Sequence, residues 1–275
     1  MLQGLTEFLP VSSSGHLVLF QRILGMKGDL LLFDIVLHLG TLFAVVFIFR
    51  KELWECIKHP LSRTSLSLAA ATAPAVLLAV FFRDFIEKTF SGAYLGFGFL
   101  VTAAILFATG FRLPTRPNPA LCRSEKNGCP KKSSSADIKD LKDPVGLGVS
   151  WTKALTIGLF QGAALLPGIS RSGATVSGGL ICGMEREKAA RFSFLLCVPI
   201  ILASAVYKIA GAAVSAESAD ALPALIGFIA AAVSGFLAIK FMLDMIKKSK
   251  LWYFAVYLVV LGVFVLLNQY VLKLF

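Results

Sequence analysis

Residues 3–16 read QGLTEFLPVSSSGH, and 158 positions further on residues 161–174 read QGAALLPGISRSGA. Without gaps, this offset superposes Gln3 and Gly4 on Gln161 and Gly162, Ser12, Ser14 and Gly15 on Ser170, Ser172 and Gly173, and Val18 on Val176. Ile23 falls on Ile181, and Gly25 and Met26 on Gly183 and Met184, so the 24 positions from 3 to 26 hold nine identities. The chain therefore contains two copies of one unit. Each copy opens with an apolar stretch broken by Pro, Ser and Gly, at 1–24 and at 151–184, and neither stretch reads as one straight helix.

What surrounds these stretches is membrane protein. Hydrophobic types make up 57% of the 275 residues and charged types 16%, mean hydropathy is +0.78, and 23 Phe outnumber the 16 Asp and Glu together. A soluble surface, a disordered chain and a collagen-like repeat are all excluded by those proportions. The net charge of +11 suits loop topology and anionic lipid rather than nucleic acid, for which no binding signature is present. Cys56, Cys122, Cys129, Cys182 and Cys197 show neither paired C-x-x-C spacing nor a disulfide framework. A signal peptide does not account for residues 1–24, which lack a basic start and carry Glu7 and His16 within the apolar part.

Six apolar runs have the length that crosses a hydrocarbon core: 29–49, 66–82, 91–111, 189–210, 222–246 and 251–272. If both broken stretches enter the membrane and return to their own side, every loop is fixed. The loops near 50–64, 112–153, 185–191 and 247–250 then hold 19 of the 27 Lys and Arg, the opposite side holds six, and Arg171 and Lys240 lie at membrane depth. The richer side is expected to be cytoplasmic, with both termini on the other. Three spans per copy reverse the second copy relative to the first. The expected fold is thus an all-α polytopic membrane protein with six transmembrane helices and two re-entrant helical hairpins in inverted-topology repeats. Its units are 1–111, a cytoplasmic linker 112–150, and 151–275. Copy two has WTKALTIGLF before Gln161 where copy one has only Met1 and Leu2 before Gln3, so a half-helix is missing at the front and a start upstream of Met1 is expected.

Irregular backbone at membrane depth survives only where protein buries it or it lines a watery cavity. Half-helices expected to begin near Ser14 and Ser172 would aim free amides and positive dipole ends into such a cavity, which suits an anion. Gln3 and Glu7 share a helical face at i, i+4. Glu7, Ser12, Ser13, Ser14 and His16 crowd the first break, and Ser170, Arg171, Ser172 and Thr175 the second. An ionisable group at that depth costs roughly 2.5–3.5 kcal/mol on insertion scales, which marks Glu7 and Arg171 as functional candidates. A Glu7–Arg171 bridge that simply pins the hairpins, and serines that simply cap half-helices, account for the same residues structurally.

The combination suits phosphoryl transfer from a diphosphate. Arg171 and the amide-rich helix starts would neutralise non-bridging oxygens. His16 could activate a hydroxyl or water, or itself accept the phosphoryl group, and Ser13 is among the candidate nucleophiles. Glu7 could orient His16 or hold a divalent cation, Mg²⁺ or Ca²⁺, with neutral Gln3 the weaker ligand. Asp34 and His38 also sit at i, i+4, where mutual neutralisation or packing is the preferred account over a cavity-lining role. Lys240 and Asp244 repeat that spacing at a helix end, where snorkelling explains them.

At these residues the sequence resembles the bacterial undecaprenyl-diphosphate phosphatase, or bacitracin-resistance, family. The resemblance rests on an [E/Q]-x-x-x-E motif at Gln3–Glu7, a PVSS-x-GH segment at Pro10–His16 and a PG-x-SRS-x-x-T motif at Pro167–Thr175. It implies hydrolysis of a C55 polyprenyl diphosphate to the monophosphate carrier and inorganic phosphate, in the bacterial cytoplasmic membrane with the site open to the periplasm. It also implies a divalent-cation requirement, with Glu7, Ser13, His16, Ser170, Arg171 and Thr175 at the family's functional positions. Gln3, Ser12, Ser14 and Ser172 join them as expected substrate contacts. The partners are the lipid substrate and membrane lipids, with a homodimer an admissible assembly. The alternative from another class is a transporter or flippase of polyprenyl phosphates, since inverted repeats with broken helices are frequent in carriers; a non-catalytic scaffold would leave buried Glu7 and Arg171 without a reason.

Overall fold

The computed structural model describes residues 1–25, 31–89, 94–112, 143–212, 221–248 and 251–272. Most of the expected linker 112–150, with Cys122 and Cys129, lies outside the described residues, as do Lys27 and Lys273. The described residues are all-α. In chain order they form α1 (Leu2–Phe8), α2 (Ser13–Ile23), α3 (Leu31–Ile48), α4 (Arg50–Lys58), α5 (Arg63–Phe81), α6 (Arg83–Thr89) and α7 (Leu95–Arg112). There follow α8 (Trp151–Ala163), α9 (Arg171–Ile181), α10 (Arg186–Ala212), α11 (Ala221–Lys247) and α12 (Trp252–Leu267), which ends in a π-helical turn, Asn268–Leu272.

Four of these helices, α5, α10, α11 and α12, are long and apolar enough to cross a membrane, and α3 joins them if its bent pair with α4 counts as one span. Their outward faces explain the composition. On α11 a stripe of Leu222, Leu225, Ile229, Val233, Leu237 and Phe241 is exposed, while Ala231, Ser234, Gly235, Ala238 and Met242 are buried. Large apolar side chains outside and small ones inside invert the soluble pattern and fit helices packed against each other in lipid. The chain is a polytopic membrane protein. Two short elements escaped the sequence reading: α4 turns away from α3 by 82° with no buried residue, and α6 prolongs α5 after Phe82.

The 158-residue offset holds well beyond residues 3–26. It carries Ser13–Ile23 onto Arg171–Ile181 end for end, and Arg63, the start of α5, onto Ala221, the start of α11. At the centre runs α10, with Ala189, Ala190, Phe192, Phe194, Leu195, Leu196 and Cys197 all buried. Polar ties collect at one end of the molecule. Arg191 reaches Glu52 at 3.4 Å and Glu187 at 2.9 Å, Lys247 reaches Glu187 at 3.5 Å, and the Thr64 hydroxyl donates to Asp143 at 2.6 Å. Residues of the basic segments 50–64 and 185–191, together with Lys247, therefore meet at the same end, as the charge count requires of loops on one side.

Candidate active site

Both breaks follow from local chemistry. Leu9 precedes Pro10, and a residue before proline is pushed out of the helical region; it sits at φ −76°, ψ 146° and ends α1. Ser12 then caps α2, its side chain accepting from Gly15 N at 3.3 Å, although its own φ of 69° lies in the left-handed region that non-glycine residues rarely adopt. In the second copy Ser170 caps α9 in the same way, accepting from Gly173 N at 3.1 Å, and Gly168 takes the positive φ of 89°. The half-helices thus begin at Ser13 and Arg171, one residue ahead of the expectation, because Ser12 and Ser170 are the caps.

The two breaks touch. Ser172 Oγ donates to the Leu9 carbonyl at 2.9 Å. A Cβ added at Gly15 would lie 3.1 Å from Gly168 Cα, and one added at Gly173 would lie 3.2 Å from Pro10 Cβ. Those last contacts exchange under the 158-residue offset, which takes Gly15 to Gly173 and Pro10 to Gly168. Each break therefore meets the other through corresponding positions.

On that junction four of the expected residues come together. Glu7 is buried, and its Oε1 accepts from Arg171 Nη1 at 3.3 Å. Its Oε2 accepts from Gln3 Nε2 at 3.0 Å and from the Ser13 hydroxyl. Arg171 and Ser13 are equivalent under the offset, so one carboxylate holds the corresponding positions of both copies. Leu165 occupies the place matching Glu7, leaving the second copy without an acid. The Arg171 side chain is 28% exposed and lines a narrow open recess with Ile35, His38, Ile201, Ser204 and Ala205. A buried ion pair of this kind is weak support for stability, since desolvation offsets much of its attraction, and points rather to a use for the charge.

The remaining expected residues are arranged around this cluster. His16 is buried; its Nδ1 bonds to the Ser12 carbonyl at 2.8 Å and its Nε2 to the Tyr257 hydroxyl at 2.7 Å, with Phe99 edge-on to the ring at 5.4 Å. A carbonyl only accepts, so Nδ1 carries the proton and Nε2 accepts from the phenol. Phe99 and Tyr257 are again equivalent under the offset. His16 is thus turned toward α7 and α12, while Ser13 faces Glu7. Ser12 and Ser14 hydroxyls lie 3.5 Å apart, matching Ser170 and Ser172 at 3.2 Å. Thr175 donates back to the Arg171 carbonyl at 2.8 Å and lies 2.5 Å from the Ser193 hydroxyl.

The family model of the bacitracin resistance protein BacA matches residues 1–264. The chain belongs to this family. It is 42% identical over 273 residues to an undecaprenyl-diphosphatase of Carboxydothermus hydrogenoformans, covering 98% of this chain and 94% of that one. Proteins of the same description from Desulfatibacillum aliphaticivorans and Christiangramia forsetii are 37% identical over 294 residues and 36% over 282, each covering 98% of this chain and 96% of theirs.

Three polar residues lie at the site that the motifs did not name. Tyr257 and Ser193 sit inside apolar runs, where one hydroxyl carries no sequence signal. Thr102 clasps the second break, its hydroxyl donating to the Gly168 carbonyl and accepting from Ser170 N, both at 3.0 Å. His38 Nδ1 bonds to the Asp34 carbonyl oxygen at 2.7 Å, and the ring lines the recess with Arg171. Among the described residues no three His, Cys, Asp or Glu side chains gather as a metal cage. One hard oxygen remains free, since Gln3 Oε1 is buried beside Glu7 without a hydrogen-bond partner. With the Glu7 carboxylate and two phosphate oxygens it has the chemistry of a Mg²⁺ or Ca²⁺ site completed by substrate.

Proposed function

We infer that this chain is an undecaprenyl-diphosphatase: it hydrolyses undecaprenyl diphosphate to undecaprenyl phosphate and inorganic phosphate. The product is the lipid carrier for cell-wall polymers, and removing the diphosphate deprives bacitracin of its target. The observation that carries this reading is the buried Glu7 carboxylate shared by Arg171 and Ser13 beside an open recess, in a chain whose relatives bear that enzyme's description.

In this reading the terminal phosphoryl group lies against Arg171 and the amides at the starts of α2 and α9, which offset the negative charge of the transferred group. Ser13 Oγ attacks the terminal phosphorus as its proton passes to Glu7 Oε2, which already accepts its hydrogen bond. The bond from that phosphorus to the bridging oxygen breaks, and the polyprenyl phosphate leaves. Water then attacks the phosphoserine phosphorus, its proton taken by His16 once the Tyr257 hydroxyl releases Nε2, and the P–Oγ bond breaks as the Glu7 proton returns to Ser13 Oγ and inorganic phosphate leaves. Glu7 and Gln3 would hold a divalent cation, which would supply charge neutralisation for the leaving oxygen.

The finer architecture belongs to the same proposal: six spans and two re-entrant hairpins, with units 1–111 and 151–275 in inverted orientation around the linker 112–150. The end holding the basic loops is cytoplasmic and the recess opens toward the periplasm of a bacterial inner membrane, a reading supported by the loop charges and by the salt bridges that join those loops. The reciprocal contacts between the breaks favour a second reading, a carrier of polyprenyl phosphate. Phosphate release in detergent micelles separates the two. An enzyme hydrolyses undecaprenyl diphosphate without a gradient and loses this on Arg171→Ala in folded protein, whereas a carrier releases no phosphate.

A further inference from the structure

The site holds a second imidazole, differently engaged from the first. Both ring nitrogens of His16 are bonded and the residue is 3% exposed. His38, on α3, faces the recess that Arg171 lines, together with Ser204 on its polar side and Ile35, Ile201 and Ala205 on its apolar side. Its Nδ1 lies 2.7 Å from the Asp34 carbonyl oxygen, an acceptor only, so in the neutral ring the proton is on Nδ1 and the lone pair on Nε2. That bond fixes the tautomer and the ring orientation, and among the described residues Nε2 has no hydrogen-bond partner. A pre-oriented acceptor beside an exposed guanidinium fits a protonated phosphate: the guanidinium takes an anionic oxygen and the imidazole accepts from the P–O–H.

We propose that His38 Nε2 binds the terminal phosphate of the substrate and, after hydrolysis, the free inorganic phosphate in the recess beside Arg171. This rests on the diphosphatase reading. His38 is then a ligand-binding residue for the group that leaves as phosphate, with Asp34 contributing through its backbone carbonyl rather than its carboxylate.

The test uses the full chain in detergent micelles, with undecaprenyl diphosphate as substrate and inorganic phosphate as inhibitor. The two probes distinguish the lipid headgroup from the free anion. His38→Leu is expected to raise KM and the phosphate inhibition constant together, each about tenfold, the worth of one hydrogen bond to a charged group, with kcat held within about threefold. His38→Gln, whose amide oxygen still accepts, recovers most of that loss. His38→Asn, polar but too short to reach the phosphate, behaves as the Leu variant and replaces it if Leu does not fold. Either constant remaining at its wild-type value in both Leu and Asn variants overturns the proposal, as does a fall in kcat alone. Absence of phosphate release by the wild-type chain sinks the diphosphatase reading itself, an outcome separate from unchanged constants in an active enzyme.

Discussion

The Tyr257 hydroxyl lies 2.7 Å from His16 Nε2 and donates to it, joining the first half-helix to the last long helix 241 residues away. The phenol holds the nitrogen that the proposed second step needs. Tyr257→Phe keeps a ring of nearly the same shape at the position matching Phe99. It is expected to lower kcat by about fivefold to tenfold with little change in KM, since one neutral hydrogen bond contributes about 1 kcal/mol. Steady-state phosphate release checks the split between the two parameters; an unchanged kcat would remove Tyr257 from any positioning role.

Glu7 is the acceptor for three donors, and Arg171 is left unpaired without it. Glu7→Ala is expected to lose activity and to destabilise the fold by about 3 kcal/mol, the cost of breaking a buried pair from one side. Arg171→Met added to Glu7→Ala should destabilise by less than the two single changes together, because no charge is then stranded. Thermal unfolding of all four proteins in detergent measures this; strict additivity would deny the pair any coupling.

Gly98 faces backbone rather than side chain. A Cβ there would meet the Pro167 carbonyl oxygen and lie 2.8 Å from Gly168 Cα, and neither atom can swing away. Gly98→Ala should displace the second break, costing about 1–3 kcal/mol by overpacking and lowering activity more than a surface substitution does. Gly110→Ala is the control, since its nearest neighbours lie 3.8 and 3.9 Å away. Equal melting temperatures and activities for the two variants would contradict the close approach.

Gln3 Oε1 is a buried oxygen awaiting a partner. Stripping the protein with EDTA should abolish phosphate release, and Mg²⁺ or Ca²⁺ should restore it. In Gln3→Leu the half-restoring cation concentration should rise by roughly tenfold. Activity that survives EDTA unchanged would leave that oxygen to substrate or water.

Most of the architecture was legible because lipid imposes a length and a composition on each crossing. The runs at 66–82, 222–246 and 251–272 lie on α5, α11 and α12 within a few residues, and the offset read over 3–26 recurs in the paired starts of α5 and α11. Helices α4 and α6 were not legible, since each is short and carries charge at a spacing shared with ordinary loops. At the site, ionisable residues announced themselves by their cost at membrane depth, which is why Glu7 and Arg171 could be named. Tyr257, Ser193 and Thr102 could not, because a hydroxyl on an apolar helix is recognised only by what lies opposite it. For Asp34 and His38 the i, i+4 spacing places both side chains on one face, but it carries no sign of the bond from the His38 ring to the Asp34 backbone oxygen.

Leu165 stands where the offset would put a second Glu7. In the proposed inverted arrangement the acid belongs to one half only, so a headgroup brought against the other half would meet hydrocarbon in its place. Leu165 is one of fifteen differences among the 24 aligned positions, with Ser13 against Arg171 and His16 against Ala174 among the others, and together they make two like halves unequal partners around one site.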